Sequence, residues 1–192
     1  MLNILILGPQ GAGKGTQARR IAAELGIPHI ASGDILRAEM AAETELGRRV
    51  KPIYDRGDLV PDDLMIAIFR ERLSLPDAAA GFVLDGFPRT LEQAEALDEM
   101  LSEIDRELTV VLELQVPHEV AVDRILKRAA EEGRSDDTPE AIRRRLALYQ
   151  RYTEPLVAHY RAQGKLVGIH GERTIDEVFG EVQEVLEQVT AR

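Results

Sequence analysis

Apolar positions along the chain fall into two kinds of pattern. Nearly continuous runs of strand length occur at Leu2–Leu7, Gly81–Leu84, Thr109–Val116 and Leu166–Ile169, with a shorter piece at Pro28–Ala31. A strand with one wet face alternates, whereas an unbroken apolar run suits a strand covered on both faces. Between these runs the spacing changes to three and four residues, as at Ile21 and Leu25, at Val120 and Ile125, and at Leu146, Tyr149, Tyr152 and Leu156. That spacing predicts amphipathic helices. Strand and helix alternate throughout, so the pattern predicts an α/β fold with an open, parallel five-stranded sheet flanked by helices.

Punctuation supports these elements. Val116-Pro117 puts proline at an expected first helical position, and Thr138-Pro139 offers a threonine cap followed by proline. Two segments interrupt the alternation: a charged, helical piece from Gly33 to about Leu73, and a short polar stretch from Ala129 to Asp137. Insertions of this kind in a core fold often act as substrate lids. No repeat, low-complexity tract or linker divides the 192 residues, so one domain is expected.

Composition narrows the function. A chain of this length buries roughly 70% of its unfolded surface, enough for a self-sufficient core. Cysteine is absent, which excludes disulfides, a thiolate zinc site and a thiol nucleophile, and suits the cytoplasm. The start, MLNILILG, has no basic region and too short an apolar run for a signal or membrane segment, so a soluble, untargeted protein is expected. The net charge of −10 opposes attachment to nucleic acid or anionic membrane. A polyanionic substrate must therefore be met by a local cluster of cations and backbone N–H groups.

Such a cluster is present. Leu2–Leu7 runs directly into Gly8-Pro9-Gln10-Gly11-Ala12-Gly13-Lys14-Gly15-Thr16, with helical sequence beyond, which is the strand, glycine-rich loop and helix of a phosphate-binding loop. The glycines let successive N–H groups point inward, and the helix dipole adds positive potential. Lys14 is placed to reach the β- and γ-phosphates, and Thr16 to face magnesium or a phosphate oxygen. The strict motif has Ser or Thr directly after lysine, but here Gly15 intervenes.

That GKGT variant resembles the loop of adenylate kinases and their relatives, whose usual form is GxPGAGKGT, with Gln10 standing where the family has proline. Ala31-Ser32-Gly33-Asp34-Ile35-Leu36-Arg37 is similar to the family's STGDxLR, and Asp85-Gly86-Phe87-Pro88-Arg89-Thr90 matches its DGFPRT, with Gln93 following. Arg124, Arg128, Gly133-Arg134-Ser135-Asp136-Asp137 and Arg143-Arg144-Arg145-Leu146 complete the resemblance, which spans essentially the whole chain. It implies a P-loop NTPase-type fold, ATP + AMP = 2 ADP as the reaction, an AMP-binding insertion over 31–60 and a short lid over 129–137. It also implies an ATP site of Gly11, Ala12, Gly13, Lys14, Gly15, Thr16, Arg124, Arg128 and Arg173. The AMP site it implies is Ser32, Arg37, Gly57, Leu59, Val60, Gly86, Arg89, Gln93, Arg134 and Arg145. Lys14, Arg89, Arg124, Arg128, Arg134 and Arg145 are then the catalytic cations, and a monomer is expected.

The residue types fit those roles. Asp85 ends a buried strand, where a carboxylate can hold magnesium through water opposite the loop, with Thr16 on the other side. Arg89 follows the stiff Phe87-Pro88, and an arginine fork grips phosphate in bidentate fashion. Arg124 and Arg128, four apart, repel one another unless something anionic lies between them. With Lys14, Arg37, Arg89, Arg134 and Arg145 they give seven cations, against roughly six charges on two nucleotides. The histidines His29, His118, His159 and His170 fall outside the motifs and read as core or surface residues. No general base is needed, because the attacking phosphate oxygen is already ionised. The segment between Arg128 and Arg134 holds neither cysteine nor histidine, so Mg2+ with ATP is expected and structural zinc is not. Competing readings are a UMP/CMP kinase, which typically carries alanine at the place of Ser32 and asparagine at that of Thr90, and a non-catalytic nucleotide-binding regulator.

Overall fold

The computed structural model describes residues 1–132 and 138–191. At its centre lie five parallel strands: β1 (Leu2–Leu7), β2 (His29–Ala31), β3 (Gly81–Asp85), β4 (Val110–Gln115) and β5 (Leu166–His170), in the spatial order β2-β3-β1-β4-β5. Every expected strand is present. β4 starts one residue late, because Thr109 takes the Asn3 N–H with its hydroxyl at 3.0 Å. Around the sheet run α1 (Lys14–Leu25), α2 (Ser32–Ala41), α3 (Glu45–Asp55), α4 (Asp62–Leu73), α5 (Leu91–Ser102), α6 (His118–Glu132), α7 (Pro139–Leu148), α8 (Pro155–Ala162) and α9 (Ile175–Thr190).

The continuous apolar runs are explained by two cores. Ile4, Ile6, Val83 and Leu112 face α1 and α9 with Ile21 and Val182, while Leu5, Leu7, Leu84 and Val111 face Phe69, Leu97 and Tyr160 of α4, α5 and α8. Each side chain so buried contributes about 1.5–3 kcal/mol. A polar residue on either face would therefore be expensive.

The winding fixes where a ligand can sit. From β1 the chain crosses α1 to β2, returns to fill the gap with β3, then passes to the far side of β1 for β4. In open parallel sheets the crevice at such a reversal, beyond the carboxyl ends of the strands, is the binding place. Register sets Asp85 beside Ile6 and Ala31 beside Asp85, so β1, β2 and β3 end level with one another.

Between β2 and β3 the chain forms three α-helices and a short 3-10 turn where plain alternation would put one helix. α2 and α3 pack on each other, and Gly47 permits their close approach, since a Cβ there would lie 2.0 Å from the Glu39 carbonyl oxygen. α4 packs instead on α5. Thr138 caps α7 as expected, its hydroxyl accepting the Ala141 N–H at 3.2 Å, whereas α6 begins one residue after Pro117.

One expectation needs correction. The spacing of Leu146, Tyr149, Tyr152 and Leu156 predicts one helix, but α7 stops at Leu148 and Tyr149–Thr153 widens into a π turn before α8. Pro155 has no N–H to continue the ladder, and the Glu154 N–H reaches five residues back to the Tyr149 carbonyl at 2.8 Å. Tyr152 is left 39% exposed instead of joining the apolar stripe. At the start of the polar stretch, 129–132 form the last turn of α6; residues 133–137 lie outside those described. Among the described residues no helix is long and apolar enough to cross a membrane.

Candidate active site

Beyond the carboxyl ends of β1, β2 and β3 lies a cleft of about 650 Å³. Every site residue expected from the sequence lines it, from Gly11 through Arg37 and Arg89 to Arg173, except Arg134, which lies outside the described residues. Residues more than a hundred positions apart are thus brought to one cavity.

The loop after β1 has the conformation its glycines predict. Gly11 takes φ 84°, and a Cβ there would lie 2.3 Å from the Ala121 carbonyl oxygen, so the loop sits tightly on α6. Gly13, left-handed at φ 92°, caps α1 without any side-chain hydrogen bond. The first N–H groups of α1 therefore keep their capacity for an anion.

Lys14 leans over this loop and donates to the Pro9 carbonyl at 3.0 Å. Burial, helped by the nearby charges of Arg89 and Arg128 and opposed by Asp85, pulls its ammonium from the ordinary 10.5 down to about 8. Asp85 is its counterpart at the end of β3. Burial works against the Asp85 charge, yet His29, Lys14 and Arg89 outweigh it and hold the carboxyl below the usual carboxylate range. His29 thus differs from expectation. It lines the cleft with Nε2 3.7 Å from Asp85 Oδ2, an electrostatic neighbour rather than a hydrogen-bond partner at that distance.

Opposite the loop a second pocket is built around Gly86. Its carbonyl accepts the Ser32 hydroxyl at 2.9 Å and Arg89 Nε at 2.7 Å. With φ 79° and a would-be Cβ 2.3 Å from Ser32 Oγ, only glycine fits here. The Arg89 N–H donates to Gln93 Oε1 at 2.8 Å, and Gln93 Nε2 donates to Asp62 Oδ1 at 2.7 Å. Thr90 caps α5 by accepting the Gln93 N–H at 3.2 Å and donates its own proton to Asp62 Oδ1 at 2.9 Å. Burial lowers the Arg89 guanidinium, and Arg145 adds to that effect against Tyr54 and Asp85.

Four of the cations donate to main-chain carbonyls. Arg124 donates to the Gly171 carbonyl at 2.8 Å, Arg145 to the Tyr54 carbonyl at 3.1 Å, and Lys14 and Arg89 to carbonyls as above. A neutral oxygen orients a cation without cancelling its charge. Arg37 is held differently, by the Asp34 carboxylate and the Tyr54 hydroxyl, the latter at 2.7 Å. Arg173 stands at the rim, 3.5 Å from Glu181.

Asp85 and Thr16 also suit a magnesium ion. Asp85 Oδ2 faces the loop, 3.5 Å from where a Gly15 Cβ would stand, and offers a hard, ionised oxygen. Among the described residues no group of three His, Asp or Glu side chains could hold a metal by itself. Water and phosphate oxygens would complete the shell, as Mg2+ prefers.

A family model described as adenylate kinase matches residues 6–165. The chain belongs to the adenylate kinase family. It is 52% identical to the adenylate kinase of Thermus thermophilus over 183 residues, covering 95% of this chain and 96% of that one. It is 48% identical to that of Stenotrophomonas maltophilia over 177 residues (92% and 95%), and 46% identical to that of Caulobacter vibrioides over 190 (99% and 100%).

In this adenylate kinase family member, four residues of the cleft and its support escaped sequence reasoning. Tyr54, Asp62, Thr153 and His29 each act through a partner distant in the chain, and none belongs to a motif. Tyr54 had one signal, an aromatic ring beside charged residues, and Arg145 does lie 5.1 Å above that ring.

Proposed function

We propose that the chain transfers the γ-phosphoryl group of ATP reversibly to AMP, giving two ADP, as a cytoplasmic monomer that uses Mg2+. The observation that carries this reading is the single cleft. The phosphate loop and the Ser32, Arg89 and Gln93 pocket open into the same cavity, with Lys14, Arg89, Arg124, Arg128 and Arg145 around it. ATP occupies the loop with Arg124, Arg128 and Arg173, and AMP lies against Ser32, Arg37, Gly57, Leu59, Val60, Gly86, Arg89, Gln93 and Arg145. The insertion over 31–60 carries the AMP side of the cleft, and Arg134, expected on that side as well, lies outside the described residues.

The chemistry needs little beyond placement. An AMP phosphate oxygen is already ionised, so no residue has to remove a proton. Lys14 and the arginines hold both phosphate chains in line and take up charge as it spreads over the transferring group. Mg2+, held through Asp85 and Thr16, would neutralise charge on the ATP phosphates. Exclusion of water from the cleft around the two bound nucleotides would protect ATP from hydrolysis.

Gln93 is 2% exposed, and its amide keeps one N–H and one oxygen lone pair beyond the bonds already described, a match for the N6 amino group and a ring nitrogen of adenine. Pyrimidines are smaller and would leave that amide partly unpaired, which favours AMP over CMP and UMP. Turnover of ATP with AMP, CMP, UMP and GMP in separate reactions tests the reading. AMP should lead CMP and UMP in kcat/KM by at least about one order of magnitude. Equal use of the pyrimidine nucleotides would leave only a general monophosphate kinase.

A further inference from the structure

Gln93 can choose between bases only if its amide has a fixed sense. A glutamine amide is nearly symmetric in shape, and a half-turn exchanges donor for acceptor. The exchange matters for purines. Adenine presents a donor at N6, whereas the 6-oxo purines, hypoxanthine and guanine, present an acceptor at O6. A freely turning amide would serve both classes equally.

In this structure the amide is held from both ends. Its Oε1 faces the Arg89 main-chain N–H at 2.8 Å, a group that can only donate. Its Nε2 faces Asp62 Oδ1 at 2.7 Å, and a carboxylate can only accept. Turning the amide would set N–H against N–H and oxygen against oxygen, losing both hydrogen bonds. Asp62 is itself positioned, because it opens α4 and its Oδ1 also receives the Thr90 hydroxyl proton at 2.9 Å. Thr90 in turn caps the helix that carries Gln93. The ends of α4 and α5 are thereby tied at the amide.

We infer that Asp62 is a specificity-determining positioning residue: by fixing the sense of the Gln93 amide it admits a 6-amino purine monophosphate and refuses its 6-oxo analogues. This rests on the acceptor pocket proposed above. Asp62 does not line the cleft and would act on the base through Gln93. The Arg89 N–H cannot be removed by substitution, so Asp62 is the half of the lock that a side-chain change can open.

The test compares AMP with inosine monophosphate, which differ at the purine 6-position and its adjoining ring nitrogen. Asp62→Asn keeps the shape but offers either a donor or an acceptor, and Asp62→Ser removes the carboxylate if the first variant folds poorly. At saturating Mg-ATP, the ratio of kcat/KM for AMP to that for inosine monophosphate should fall at least about tenfold in either variant. The KM for ATP should stay as in the unchanged protein. A merely structural role would lower both acceptors in parallel and leave the ratio untouched, and that result overturns the inference. An unchanged protein that leads with AMP and keeps its lead in both folded variants overturns it too, with the AMP reading intact. An unchanged protein that uses no AMP overturns both.

Discussion

The Thr153 hydroxyl donates to the main-chain oxygen of Arg89 at 2.8 Å, joining the π turn before α8 to the arginine at the centre of the cleft. The widened turn is what lets a residue of that helix run face Arg89. Thr153→Val keeps the shape and leaves a carbonyl in a confined place without its partner, at about 1–2 kcal/mol. The expected result is a fall of roughly tenfold in kcat/KM for AMP, with ATP saturation unchanged. Full activity in the folded variant would remove the π turn from the account.

Lys14 should give a paired signature. Lys14→Met is expected to lower kcat by orders of magnitude, since the ammonium meets charge that develops during transfer. The same change should raise stability. The folded state releases the Lys14 proton near pH 8, and the unfolded chain only near 10.5. Below pH 8 the cost of holding a buried ammonium is fully present, and it disappears as pH rises toward 10.5. At pH 7 the variant should therefore gain roughly 1–2 kcal/mol, a limited amount because the group faces an open cleft. In the unchanged protein, ATP should bind less well above pH 8, where the free lysine is neutral. Denaturant unfolding and the pH dependence of the KM for ATP check both halves.

Gly86 has no tolerance for a side chain. Gly86→Ala adds a carbon at φ 79° within 2.3 Å of Ser32 Oγ and 3.2 Å of an Arg89 guanidinium nitrogen. A loss of about 1–3 kcal/mol is expected, with a Tm lower by several degrees and a raised KM for AMP. A normal Tm and KM would mean that the pocket is built differently.

Some of this was legible in the sequence and some was not. The strands were readable because two-sided burial forces unbroken apolar runs such as Ile4 to Leu7, and the loop because left-handed turns demand glycine at Gly11 and Gly13. The π turn was hidden because Leu146, Tyr149, Tyr152 and Leu156 keep a helical spacing while the missing N–H of Pro155 decides the local geometry. His29 reaches Asp85 through the level ends of β2 and β3, a relation set by sheet register over 56 positions. Asp62 looks like any acidic residue at a helix start until α5 is placed beside it.

The central claim is that one cleft passes a phosphoryl group between two bound nucleotides. It is tested most directly by following γ-labelled ATP in the presence of AMP and Mg2+. The label should appear at the β-position of newly formed ADP, two ADP should form for each ATP consumed, and little label should reach inorganic phosphate. Label released as inorganic phosphate at the same rate with or without AMP would contradict the account, for the cleft would then be a hydrolase.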